Sequence, residues 1–169
     1  MTIIDNGLRL AEALSLAVTG TARTPAGSVV DLAGLDIDGE TILSKQDVGI
    51  GEPLTVQVFP GTALNNTTSI RVDVVLSAAT GLTSPVEVAS TGEILLADWN
   101  DSEHWPFILR ISPNFDMDDM DPADATSLRY LGLIFTETGT DPTAGTVNAD
   151  LVLGEHSPRR FYPTKSPTL

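Results

Sequence analysis

Apolar and polar positions alternate with period two through much of the chain from Leu54 onward. Leu54-Thr55-Val56-Gln57-Val58-Phe59 alternates and stops at Pro60-Gly61. Ser69 to Leu76 alternates again, with Ile70, Val72 and Val74 on one side and Arg71 and Asp73 on the other. That pattern predicts strands with one buried and one wet face. Asn65-Asn66-Thr67-Thr68 between them is turn chemistry, so these two strands are expected to be antiparallel neighbours. Further strands are predicted at Val86–Val88, Glu93–Leu96, Phe107–Ile111, Tyr130–Phe135 and Thr146–Leu153. In the last, Val147, Ala149, Leu151 and Leu153 share one side. Ser84-Pro85, Thr91-Gly92, Ser112-Pro113-Asn114, Asp121-Pro122 and Asp141-Pro142 separate the runs as turns.

The first third is less regular. Leu8, Leu10, Leu14, Leu16 and Val18 alternate only in part, and the same stretch holds helix-favouring Ala, Glu and Leu. Extended structure is the better reading, because the segment runs into Thr19-Gly20-Thr21 and Pro25-Ala26-Gly27. Ser28–Leu32 reads as a short strand, and 33–53 as a long loop with Gly34, Gly39, Gly49, Gly51 and Pro53. A connection that long in a compact domain generally contacts something. About eight to nine short strands and no helix are expected, which defines an all-β fold: a jelly-roll-like antiparallel β-sandwich with extended terminal arms. The sandwich is assigned to residues 1–154. Residues 155–169 hold Pro158, Pro163 and Pro167, cannot continue a central strand, and read as an extended C-terminal arm.

Composition narrows the function. A chain of 169 residues with 41% hydrophobic content is long enough to bury a core as one domain. It has no cysteine, so disulfides, thiolate zinc sites and cysteine nucleophiles are all excluded. The longest apolar runs are too short to cross a bilayer, and Met1 to Asp5 has no basic, apolar leader pattern. Net charge is −14; residues 155–169 carry Arg159, Arg160 and Lys165 against Glu155, a net of +2, which leaves −16 on the remainder. A body that negative repels phosphate backbones and anionic lipid, so neither nucleic acid nor membrane is an expected partner.

Candidate chemistry is thin. The histidines are His104 and His156. His104 lies in Asp98-Trp99-Asn100-Asp101-Ser102-Glu103-His104-Trp105, which reads as a surface loop whose tryptophans pack on the sheet; zinc needs three or four convergent ligands. Asp116-Met117-Asp118-Asp119-Met120-Asp121 fails the EF-hand spacing, because its fifth position is Met120, its sixth Asp121 and its twelfth Ser127. It reads as a solvated acidic loop, with an irregular calcium cage as the alternative, and Asp36-Ile37-Asp38-Gly39-Glu40 reads likewise. No Gly-x-Ser-x-Gly elbow and no glycine-rich phosphate loop is present. No catalytic residue, cofactor or metal is therefore expected. The remaining feature is Arg159-Arg160-Phe161-Tyr162, two guanidinium groups beside two aromatic rings on a proline-bounded segment. Such residues carry much of the energy of protein interfaces and suit addition to a sheet edge.

The order of these segments resembles that of the cement, or decoration, proteins on the capsids of short-tailed phages. The resemblance runs from Ile3-Ile4-Asp5-Asn6 through Ser28–Leu32, Val48-Gly49-Ile50-Gly51-Glu52-Pro53-Leu54-Thr55-Val56-Gln57-Val58 and Ser69–Val74. It continues through Ser84–Val88 and Arg129–Leu133 to Pro142–Ala149, nearly the whole chain. Each motif is a strand with a turn; their order is the specific part. The resemblance implies a non-enzymatic structural virion protein on the outer surface of the assembled capsid, assembled in the host cytoplasm. It implies the major capsid protein as partner and self-association as a homodimer or homotrimer. Terminal arms are natural clamps on neighbours, so the expected partner-binding residues are Ile3, Ile4 and Asp5 together with Arg159, Arg160, Phe161 and Tyr162. The alternative is a carbohydrate- or receptor-binding β-sandwich, with Trp99, Trp105, Tyr130 and Tyr162 as its candidate contact aromatics.

Overall fold

The computed structural model describes residues 9–17, 22–23, 29–31, 54–111 and 128–153. These form β1 (Arg9–Ser15), β2 (Ala22–Arg23), β3 (Val30–Asp31), β4 (Leu54–Thr62), β5 (Thr67–Ser77) and β6 (Val86–Leu95). A short helix, α1 (Leu96–Asn100), and a 3-10 turn at Ser102–His104 lead into β7 (Phe107–Ile111), β8 (Tyr130–Gly139) and β9 (Thr146–Leu153). One sheet has the order β1-β9-β4-β7 and the other β2-β8-β5-β6, with all pairs antiparallel. β3 pairs with β8 at Val30↔Leu131, and β2 pairs with it at Arg23↔Phe135, so both occupy one edge position and each sheet is four strands wide. Counted as one edge strand, β2 and β3 make the connectivity that of an eight-stranded jelly roll: apart from the paired neighbours β5 and β6, successive strands alternate between two sheets that pack face to face.

The core follows from the alternation. Val56, Val58, Leu109, Val147 and Ala149 of the first sheet meet Ile70, Val72, Val74, Leu133 and Phe135 of the second, and all are buried. On β5 the inward set is the one the period-two pattern assigns. The outward set departs from expectation at Asp73, which is 4% exposed. Its carboxylate accepts from Arg71 Nε at 2.9 Å and from Ser90 Oγ at 2.6 Å, so the charge is covered by neighbours on its own sheet.

Three local expectations change. First, β4 and β5 are not neighbours: β4 pairs with β7 and β9, and β5 with β6 and β8. Asn65 and Asn66 turn the chain across the sandwich instead of folding it back, and Asn65 Oδ1 accepts from the amides of Thr143 and Ala144 at 2.9 Å. Second, Val86–Val88 and Glu93–Leu96 belong to one strand. Thr91-Gly92 is a bulge within it, where Arg71 faces Glu93, Asp73 faces Ser90, and two residues of β6 oppose Val72. Gly92 takes φ +67°, and Thr91 Oγ1 accepts the Val72 amide at 3.0 Å in place of the displaced ladder bond. Third, Leu96 begins α1 instead of ending a strand. The helix carries Trp99 into the core, where it is 0% exposed and its ring stacks on Phe107 with centroids 5.3 Å apart.

Candidate functional site

Both edges on one side of the sandwich are strands of the second half of the fold, β6 and β7. β6 ends the second sheet and β7 ends the first, and the two strands contact each other across the sandwich. Each therefore presents a row of backbone donors and acceptors with no strand partner among the described residues. The exposed large hydrophobic residues of the described chain all lie here: Val86 at 47%, Leu95 at 56% and Ile108 at 45%. Single exposed apolar residues need no explanation, but their confinement to two adjacent edges makes this side the candidate site.

Charge is uneven along this side. No Lys or Arg lies between Arg71 and Arg110, whereas Glu87, Glu93, Asp98, Asp101 and Glu103 do. Three of the described arginines are matched by acids. Arg9 reaches Glu12 at 2.7 Å and Asp150 at 3.3 Å, Arg71 reaches Asp73 at 2.8 Å, and Arg129 reaches Asp31. The hydrogen bond from Arg129 to Asp31 holds that guanidinium protonated above its ordinary range, against a smaller opposing effect of burial. Glu93 accepts only from Ser69 Oγ, at 3.4 Å, and Glu87 and Asp98 have no basic partner among the described residues. The β6 edge is thus mainly acidic, while β7 contributes exposed Arg110 two residues from Ile108.

The surface is held rigid from beneath. Asn100, which follows Trp99 in α1, grips Leu64 twice: its Oδ1 accepts the Leu64 amide and its Nδ2 donates to the Leu64 carbonyl, both at 2.9 Å. Trp105 Nε1 donates to the Trp99 carbonyl at 2.7 Å, and Asp101 Oδ1 caps the 3-10 turn by accepting from the Glu103 amide at 2.9 Å. The end of β6 and the start of β7 are thus tied to the β4–β5 crossing.

The sequence candidates fall as follows. Ile3, Ile4, Asp5, Arg159, Arg160, Phe161 and Tyr162 lie outside the described residues, as do His156, the 33–53 loop, the acidic run from Asp116 to Asp124 and the arm 155–169. His104 is exposed, with Nδ1 3.5 Å from Asp101 Oδ2, and no group of three or more metal-ligating side chains occurs among the described residues. The tryptophan loop is only partly a surface loop: Trp99 is buried, Trp105 half-buried. Tyr130 is half-buried, with the Arg129 guanidinium 5.0 Å from its ring centroid. What sequence reading did not single out is the β6 edge. Its one signal was a long acidic stretch without a single cation.

No protein-family model matches the chain, and no curated protein matches it.

Proposed function

We propose that this protein is a non-enzymatic structural virion protein, a cement or decoration protein that binds the outer surface of an assembled phage capsid and stabilises the lattice of its major capsid protein. It works as a homodimer or homotrimer, without nucleic acid, membrane or cofactor. The observation that supports this reading best is the confinement of exposed Val86, Leu95 and Ile108 to two adjoining sheet edges. A rigid sandwich with one adhesive side suits bridging between subunits, because many modest contacts on one shell act together. Interfaces on the order of 1,000 Å² each suffice for that. The segment order described above points to the capsid class, and the net charge of −14 keeps decorated particles apart in solution.

The carbohydrate-binding alternative loses a main support, since the Trp99 ring faces the core and offers no platform to a sugar. The test is co-sedimentation with expanded, empty shells assembled from the major capsid protein encoded in the same genome. Saturable binding by the whole chain, reduced severalfold by Val86→Glu combined with Ile108→Glu, is the expected result. Protein that stays in the supernatant with shells in excess overturns the proposal.

A further inference from the structure

The side of the sandwich that ends in β6 and β7 is open in its interior as well as along its edges. Val86 stands opposite the core residue Leu76 yet is 47% exposed, and Val88, Ala89, Ile94 and Phe107 pack against the core without being fully buried. We infer that a second copy closes this side, through a two-fold axis that sets β6 of each protomer beside β7 of the other. The inference rests on the function proposed above and deepens its self-association part: the sandwich would meet a shell as a bivalent pair.

The occupant follows from what the side offers. It presents two edge strands at once, one from each sheet, and facing sheets lie about 10 Å apart. One added strand covers one edge and leaves the other bare. A partner that covers both must bring two edge strands at the same separation, and the same side of another copy does so by construction. The strand directions agree. A short turn from Thr62 to Thr67 reverses the chain between β4 and β5, β7 is antiparallel to β4, and β6 is antiparallel to β5, so β6 and β7 run opposite ways. A two-fold axis along the strands preserves each direction. β6 then meets the second copy's β7 antiparallel, and the order β1-β9-β4-β7 continues into β6-β5-β8-β2 of the second copy.

The side allows one other two-fold arrangement, in which like strands pair. It brings the acids of two β6 strands, Glu87 and Glu93, to one seam. It also lays along each other two strands that are both interrupted at Thr91-Gly92 and again between the pairings to Val74 and Val75. Exchange of β6 for β7 instead sets the acidic edge beside a strand whose one charged residue is Arg110.

Side-chain spacing fits the exchange. Glu93 and Leu95 lie on the outer face of β6, because Ile94 between them stands opposite the core residue Ile70. Ile108 and Arg110 lie on the outer face of β7, because Leu109 and Ile111 are buried. The antiparallel register that sets Leu95, 56% exposed, beside Ile108, 45% exposed, also sets Glu93 beside Arg110. Glu93 then lies between Arg71 of its own sheet and Arg110 of the second copy, in a row that alternates in sign.

The chain has no cysteine, so introduced thiols report without interference. In the full-length protein, Leu95→Cys combined with Ile108→Cys is expected to give a disulfide between chains under mild oxidation. Leu95→Cys alone and Ile108→Cys alone are expected to stay unlinked, with thermal melts confirming that each variant is folded. Free thiols or a disulfide within one chain in the double variant overturn the inference, and so does linking of either single variant to the same extent, which reports pairing of like strands. In parallel, sedimentation of the parent chain is expected to show a dimer. Ile108→Glu, which adds an acid beside the acidic edge, should weaken that dimer about tenfold or more. A monomeric or trimeric parent chain, or a dimer indifferent to Ile108→Glu, also overturns it. Neither experiment contains capsids, so failure here is distinguishable from failure to bind shells.

Discussion

Replacing Trp99 tests how the helix that interrupts the β-order contributes to the fold. Its side chain is fully buried and lies over Phe107 at 5.3 Å, with the ring planes 7° apart. Truncation to alanine removes the largest fully buried side chain among the described residues and leaves a void between the sheets. The expected loss is about 3–5 kcal/mol, the upper part including roughly 1 kcal/mol for the aromatic pair. Trp99→Phe behaves differently. The Trp99 indole N–H is buried and finds no acceptor among the described residues, an arrangement that costs about 1–3 kcal/mol. Phenylalanine keeps a ring against Phe107 and removes that orphan donor, so the two effects oppose each other and the net change stays within about 1 kcal/mol. Urea unfolding followed by far-ultraviolet circular dichroism measures both. With a slope of roughly 2 kcal/mol per molar, the alanine variant moves the midpoint down by about 2 M and the phenylalanine variant by at most about 0.5 M. Equal losses for the two variants, or an alanine loss under about 1 kcal/mol, would refute the placement of this ring and of α1 with it.

Other substitutions probe the joints around the same framework. A methyl group on Gly132 would stand 2.5 Å from Leu82 Cδ1, and Leu82 is buried over that strand, so Gly132→Ala should cost about 1–2 kcal/mol. Leu82→Ala in the same chain should make the double variant less damaged than the sum of the singles, as read from denaturation midpoints. Asn100→Ala removes both bonds to Leu64 at a partly wet position; about 1 kcal/mol of stability and faster hydrogen exchange at the Leu64 amide are expected. Asp73→Ala frees Arg71, whose side chain is 44% exposed, and should cost about 1–2 kcal/mol after allowing for solvent screening, with Ser90→Ala adding little on top.

Strong alternation made much of the fold legible. Phe107–Ile111 and Thr146–Leu153 are strands over the residues the pattern marks, and β5 buries Ile70, Val72 and Val74 as its period requires. β1 was harder to read because its pairing with β9 slips twice, between Arg9 and Ala11 and between Ala11 and Leu14, so its apolar residues fall out of step. Thr91-Gly92 has the composition of a turn, and nothing local distinguishes a turn from a bulge in a strand that continues. Asn65-Asn66 does mark a turn, yet turn chemistry carries no information on whether the next strand pairs beside the last or in the opposite sheet. α1 has five residues, too few for a helical period to register beside the strand before it.

The candidate site was less legible than the fold. Reading residues one by one favoured conspicuous ones, Arg159, Arg160, Phe161 and Tyr162 among them, and these lie outside the described residues. Glu87, Glu93, Val86 and Leu95 are ordinary residues for a strand. They become a surface only because β6 is placed last in its sheet and next to β7, which is a property of long-range topology.

Calorimetry of empty expanded shells with and without the protein tests the main claim most directly. If the sandwich acts by bridging capsid subunits, the unfolding transition of the shell rises as sites fill, reaches a plateau at full occupancy, and returns to its starting value when Val86→Glu with Ile108→Glu replaces the parent chain. A shell transition that stays in place at saturating protein would contradict the account.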